Sequence, residues 1–382
     1  MSAEGAMLVE RKGVAGLSRG LRIVAERGLP TTIANKLRDG LEAKVREDLG
    51  ETIDVSIEQG SLLLDPEGEV HLGGSVPRNR KTDDVVIFLT EMPRLWGGKP
   101  TPAEIDLQRM AGIISLPACG VRRVARVVER LIVASAAGII RQDIHEDLLY
   151  AVQSKNHHWT DDSSGQAKST LVVETRWGWV RTVIGMMRIN QPWKLVASLK
   201  GVMAAAVATS SFGVFYTSIW QMASVLSPLR LLLISGFSVA VMTTWLIAAN
   251  HLWETKSSGR FSAVWARLYN STTIFTVLTG VVFMYLGLYV VTFVSSMVVI
   301  DETFLTEQLG KEASLHDYGS LAWLSTSMGV IAGALGSNAD SHKSILRATF
   351  GRREQERRKT LDELNQDEQN EEDITVTKED FE

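Results

Sequence analysis

A chain of 382 residues with 45% hydrophobic content and a net charge of −4 has room for a soluble domain and a membrane part. Basic and acidic residues are segregated along it, so the net charge describes neither part. The single cysteine, Cys119, excludes an internal disulfide and suits a reducing compartment.

Residues 1–19 read as a mobile start, and no apolar run with a cleavage site marks a signal peptide there. Leu21-Arg-Ile-Val-Ala25 reads as a short strand. Pro30 then opens a helix in which Ile33, Leu37, Leu41 and Val45 recur every fourth residue, and Gly50 closes it. Residues 52–57 alternate as a half-buried strand does, and Asp65-Pro-Glu-Gly68 is a turn. After a basic loop at 78–81, the apolar runs 85–89 and 112–116 have the length and composition of central strands. From Val121 the period becomes helical, with Val121, Val124, Val128, Leu131 and Ile132 on one face and Arg122, Arg123, Arg126 and Arg130 on the other. This order predicts an N-terminal cytoplasmic α+β domain over 1–153.

Residues 154–200 read as a linker and juxtamembrane interfacial segment. Its first part is polar; its second carries Trp177, Trp179 and Trp193 beside Arg176, Arg181, Arg188, Lys194 and Lys200. Amphipathic rings and cationic heads both favour the headgroup layer, so this stretch is expected to lie along the bilayer surface.

Between 201 and 339 four windows of 29, 23, 33 and 22 residues contain no Asp, Glu, Lys or Arg. A hydrocarbon core of about 30 Å takes about 20 helical residues, which predicts a four-helix transmembrane bundle with spans near 201–222, 231–253, 272–298 and 318–337. The third window is long enough to tilt or to extend beyond the bilayer. Lys and Arg concentrate in the approach, in the loop with Lys256, Arg260 and Arg267, and after residue 340, which puts both termini in the cytoplasm. The 340–382 tail is basic, then acidic, with a disordered end.

Chemistry is sparse. His251 is the sole ionisable candidate within the spans, and it sits at the end of one beside Trp253. Thr209, Ser210, Ser211, Thr276, Thr279, Tyr285 and Tyr289 are polar and uncharged, as interhelical hydrogen bonds require. Ser325, Gly329 and Gly333, with Gly336 and Ser337 beyond them, give one face on which another helix can approach closely, within the chain or in a homo-oligomer. Gly73-Gly74 and Gly97-Gly98 lack the strand–turn–helix context of a phosphate loop, and no nucleophile elbow occurs. His145-Glu146 begins like a zinc-protease motif, but Leu149 stands where the second histidine is needed. His157-His158 read as exposed. No cofactor or metal ion is expected. The arginine face, with Arg181, Arg188 and Lys194, is either a solvated surface or a contact for anionic lipid, phosphate or a partner; without interleaved aromatics it does not suit nucleic acid. The acidic stretch 301–317 has no EF-hand spacing.

Three segments, Gly185-Met-Met-Arg-Ile-Asn-Gln-Pro-Trp-Lys194, Trp245-Leu-Ile-Ala-Ala-Asn-His-Leu-Trp-Glu254 and Leu321-Ala-Trp-Leu-Ser-Thr-Ser-Met-Gly-Val-Ile-Ala-Gly-Ala-Leu-Gly336, together with 85–116, resemble a family of uncharacterised multi-pass membrane proteins from actinobacteria. The resemblance implies a plasma-membrane protein and supplies no activity. The run 85–90, a loop, 112–116 and a helix is also similar in order to archaeal-type metzincin-like peptidases. The helix that bears the zinc-binding histidines in those enzymes here contains none, so a copy of that fold would act by binding. The reading is therefore a binding, regulatory or scaffold membrane protein whose partners are the bilayer and a protein met through domain or tail. The alternative is a small transporter or channel component.

Overall fold

Strand β1 (Gly20–Ala25) pairs in parallel with β2 (Asp54–Gln59) on one side and β3 (Val85–Thr90) on the other. The computed structural model describes residues 20–50, 53–63, 70, 75–76, 83–141, 157–161, 168–173, 176–254 and 263–336. The expectations for 1–19, the 65–68 turn, the 78–81 loop, His145-Glu146, Lys256, Arg260 and the 340–382 tail lie outside those residues.

Helix α1 (Leu29–Leu49) returns from β1 to β2. Its four-residue apolar repeat (Ile33, Leu37, Leu41, Val45) is buried, and Gly50 ends it at φ 69°, in the left-handed region that glycine occupies without strain. β3 continues in parallel to β7 (Ala111–Ser115), and from there the sheet turns antiparallel through β6 (Ala103–Asp106), β9 (Lys168–Val173) and β8 (His157–Asp161). A short hairpin, β4 (Leu95–Trp96) with β5 (Lys99–Pro100), stands apart. The order β2-β1-β3-β7-β6-β9-β8 is thus half parallel and half antiparallel. The N-terminal part is therefore an α/β sheet region of mixed strand direction. The fully buried runs of β3 and β7 belong to parallel strands covered on both faces. Leu21, Ile23, Ile87 and Leu89 point to one face, toward α1 and α2 (Val124–Arg141), while Val24, Val86, Phe88 and Ile113 point to the other. Of the stretch 154–170, expected as a polar loop, residues 157–161 form β8 and 168–170 begin β9.

Helix α3 (Arg176–Asn190) packs one face against the domain and leaves Trp177 exposed. Val183, Met186 and Ile189 recur at i, i+3, i+6 and are buried in the same apolar cluster as the sheet. α4 (Trp193–Ser198) leads into α5 (Lys200–Phe215) and α6 (Thr217–Val225). α7 (Pro228–Ala249), α8 (Ala263–Val299), α9 (Glu302–Leu309) and α10 (Leu315–Gly336) follow among the described residues.

Among the described residues two helices, α7 and α8, are long and apolar enough to cross a membrane, and α5 with α6 makes a third if the pair is one span. That pair, expected as a continuous helix, bends by 85° at Tyr216, whose backbone is extended. The indole N–H of Trp220 donates to the Gly213 carbonyl at 3.0 Å and closes the corner. On α7 and α8, Leu232, Leu233, Phe237, Phe283, Leu286, Val290 and Val298 are exposed, an apolar surface that suits lipid and not water. α10 is the central helix. Leu321, Ala322, Ser325, Thr326, Ser327 and Val330 are fully buried among its neighbours, so it needs no continuous lipid-facing apolar surface.

α8 joins the two parts. Its 37 residues measure about 55 Å at 1.5 Å per residue, well beyond the ~30 Å of a bilayer core. Leu268 and Tyr269 lie in the apolar core of the sheet, whereas Val277, Val281, Met284 and Leu288 lie in that of the bundle.

Candidate functional site at the junction of domain and bundle

The carboxyl ends of β1, β3 and β7 come together where strand order reverses, the place at which open α/β sheets form crevices. Two buried glutamates follow directly on these strands, Glu26 after β1 and Glu91 after β3. Glu26 Oε2 accepts from the Thr90 hydroxyl at 2.9 Å and from the Glu91 N–H at 3.0 Å. Glu91 Oε1 accepts from the Leu29 N–H at 2.9 Å, where a carboxylate meets the positive end of α1. Gly28, at φ 121°, has no room for a side chain because a Cβ would stand 2.6 Å from that same oxygen. The Ser115 hydroxyl donates to the Met92 carbonyl at 2.7 Å and ties β7 to the loop after β3. Sequence reasoning missed this knot. Its signal was an acid placed immediately after each of two apolar strands, Ala25-Glu26 and Thr90-Glu91.

Beyond Ser115 a 3-10 turn (Pro117–Cys119) rests on α3. At Gly185 a Cβ would collide with the Pro117 carbonyl and lie 2.9 Å from its Cα, so only a bare backbone permits this approach. Arg181 Nε donates to the Ala118 carbonyl at 3.0 Å and Arg188 Nη1 to the Val121 carbonyl at 2.7 Å. These two predicted site residues therefore clamp a turn, each through one of its five N–H donors. Cys119 donates its thiol to the Ser115 carbonyl at 3.3 Å. Burial pushes that thiol up to about 12, against the opposing pull of Arg181. A maleimide is expected to leave the native protein unlabelled near neutral pH and to label it fully once it is denatured, as a mass spectrum would record.

Arg122, Arg123, Arg126 and Arg130 are all exposed, and no ion pair holds them among the described residues. Arg123 stands at φ 54° just before α2, its carbonyl accepting from the N–H groups of Arg126 and Val127. Lys194 falls in α4.

In the bundle, Ser325, Gly329 and Gly333 face α5. A Cβ on Gly329 would lie 2.6 Å from the Ala206 carbonyl oxygen and against the Ser210 hydroxyl, and one on Gly333 would lie 3.1 Å from the Val202 carbonyl oxygen. Gly213 returns the fit by facing Ser325. Gly336 ends α10. The Ser210 hydroxyl donates to the Ser325 carbonyl at 3.2 Å, and Tyr285 shares a hydrogen bond of 2.8 Å with Ser327, so two of the polar residues named within the spans join helix to helix. His251 is exposed at the end of α7, at φ 50°.

At the opposite end of the bundle, Asp317 binds Lys311 Nζ at 2.7 Å and the Ser314 hydroxyl and N–H at 2.6 and 3.0 Å. Ser314 also lines a cleft of about 430 Å³ with Val298, Asp301, Glu302 and Tyr318. Burial alone would raise the Asp317 carboxyl, but the bonds from Lys311 and Ser314 hold it below the usual range. Asp301, bonded by the Thr303 hydroxyl and by the N–H groups of Thr303 and Phe304, is lowered as well. Both contribute stability above the ordinary aspartate pKa of about 3.9 and lose it as pH falls through their lower folded values. Hydrogen exchange across 301–318 is expected to accelerate in that acid window, and the double substitution Asp301→Asn, Asp317→Asn is expected to flatten the response. Set against known proteins, the chain matches no family model, no curated protein and no solved structure.

Proposed function

We propose that this is a plasma-membrane protein of the binding or regulatory kind, in which a cytoplasmic domain and a transmembrane bundle report on each other's state. In this reading α5–α6, α7, α8 and α10 make four crossings, the tail at 340–382 returns to the cytoplasm with the N-terminus, and partners meet the domain or the tail. The observation that carries it is the shared helix α8, packed into the core of the sheet at Leu268 and Tyr269 and into the bundle from Val277 onward. Asn190 Nδ2 donates to Thr276 Oγ1 at 3.2 Å, and Gly280 leaves room for Leu195 and the Pro192 carbonyl, so α3 and α4 fasten the same joint.

The test is transmission. Gly280→Leu should force α4 from α8, since a Cβ there already lies 2.8 Å from Leu195 Cδ2 and 3.2 Å from the Pro192 oxygen. Hydrogen exchange should then rise in α3 and in the 117–119 turn as well as in the bundle. Exchange confined to the bundle would refute coupling, and hydrolytic turnover abolished by substitutions in the domain would refute a binding role. A reporter fused after Glu382 that is active only outside the cell would refute the orientation.

One observation favours a second reading. The hydroxyls of Thr243, Ser325 and Thr326 are buried in the bundle with no hydrogen-bond partner among the described residues. A polar solute passing between the helices would satisfy them. Flux into proteoliposomes containing the purified protein alone would support that reading, and no flux across a broad solute panel would remove it.

A further inference from the structure

We infer that the corner of the domain at residues 121–126 is a docking surface for anionic phospholipid of the adjoining leaflet, an inference that rests on the membrane placement proposed above. The first step is height. α3 keeps step with α8: Met186 Sδ accepts from Thr272 Oγ1 at 3.4 Å, Asn190 reaches Thr276, and Pro192 and Leu195 close on Gly280. The sheet's core last touches α8 at Tyr269, and the bundle's core first touches it at Ile274 and Val277. The edge of the hydrocarbon therefore falls close to Asn190. Arg188, two residues earlier, holds the Val121 carbonyl at 2.7 Å, which fixes the 121–123 loop at that height. Trp193 and Trp253 are each 53% exposed at neighbouring helix ends, where interfacial tryptophans belong.

The second step is charge. Arg122, Arg123 and Arg126 project from this corner with exposed Val121, and no carboxylate among the described residues pairs with them. They surround the first turn of α2, which contains no acidic residue, so helix dipole and side chains are positive together. This is unfavourable in isolation, and an anion of the leaflet reverses it. Arg123 keeps a left-handed backbone that a residue with a side chain rarely adopts, so the tip of the loop is held in shape rather than left to relax.

The third step is depth. α2 runs beside α1 away from this edge, with Lys44 Nζ on Glu129 at 2.6 Å and Arg141 on the Asp48 carbonyl at 2.8 Å. A headgroup layer is roughly 5–7 Å deep on each side, and one helical turn rises about 5 Å. Phosphates thus reach Arg122, Arg123 and Arg126, whereas Arg130, another turn away, stays in water.

The experiment reconstitutes the full chain into nanodiscs of phosphatidylcholine with and without phosphatidylglycerol. It compares the native protein with the triple variant R122Q/R123Q/R126Q, with its lysine counterpart R122K/R123K/R126K, and with R130Q. Phosphatidylglycerol should slow hydrogen exchange over 121–127 in the native, lysine and R130Q proteins but not in the glutamine triple variant. Affinity for co-purifying phosphatidylglycerol should fall roughly five-fold for each arginine removed. Equal protection in phosphatidylcholine alone, or equal retention by the glutamine variant, would overturn the inference. Protection by inorganic phosphate in phosphatidylcholine discs would assign the corner to a soluble anion and overturn the lipid assignment. If every variant enters discs with α7 and α8 protected, the membrane placement survives such a result; if none enters discs, both readings fall.

Discussion

Gly329→Leu is expected to produce the largest loss of stability available from a single substitution in the bundle. The space a side chain would need is occupied by the Ala206 carbonyl oxygen, 2.6 Å from the Cβ position, and by the Ser210 hydroxyl. The hydroxyl can rotate; the carbonyl belongs to the backbone of α5 and moves only with the helix. Pushing α5 outward would break the hydrogen bond from Ser210 to the Ser325 carbonyl and separate Gly333 from Val202. Overpacking of this kind costs about 1–3 kcal/mol when neighbours yield, and more when backbone must move. A loss of 3 kcal/mol or above is thus roughly what denaturant unfolding in detergent should record. Gly236→Leu and Gly287→Leu are the controls, because nothing lies within 4 Å of a Cβ at either exposed position. Both should leave stability within about 0.5 kcal/mol of the native protein. A Gly329→Leu protein as stable as these controls would show that the seam does not hold the bundle together.

Glu91→Ala is expected to weaken the domain by roughly 1.5–3 kcal/mol, through loss of a part-buried, charge-assisted hydrogen bond at the start of α1. The carboxylate holds the first turn of α1 through Leu29 N–H, and Gly28 before it provides no side-chain cap. Hydrogen exchange in the first two turns of α1 should accelerate before the rest of the sheet responds. Glu91→Gln keeps an acceptor of nearly the same shape and should recover about half of the loss, the difference being the interaction of full charge with the helix end. Equal effects of Ala and Gln would mean that charge has no part in holding α1.

Much of the sheet is legible in the sequence because burial leaves a pattern. The run Val85-Val-Ile-Phe-Leu89 is apolar throughout since both of its faces are covered, and the fourfold repeat of α1 is apolar because one face is. What is not legible depends on partners remote in the chain. β9 is a strand because Leu171 pairs with Ala103 on β6, and nothing local in a stretch containing Lys168, Ser169 and Thr170 declares it. The break at Tyr216 has neither proline nor glycine at the bend; it follows from Gly213 meeting Ser325 and from Trp220 folding back. α3 hides its packing face for a related reason. Its tryptophans and arginines match an interfacial helix in composition, while Val183, Met186 and Ile189 state its true face only when their spacing is read. The arginine face was visible as a pattern, but its height relative to the bundle needed Arg188 on Val121.

A rod cemented into two masonry blocks cannot lean in one without turning the other, and α8 is such a rod. Spans adjust their lean to the thickness of the lipid around them. With α8 crossing the bilayer as proposed above, thicker or thinner surroundings would rotate the whole sheet as a body, with no ligand involved, and would change which of its surfaces is presented to the water.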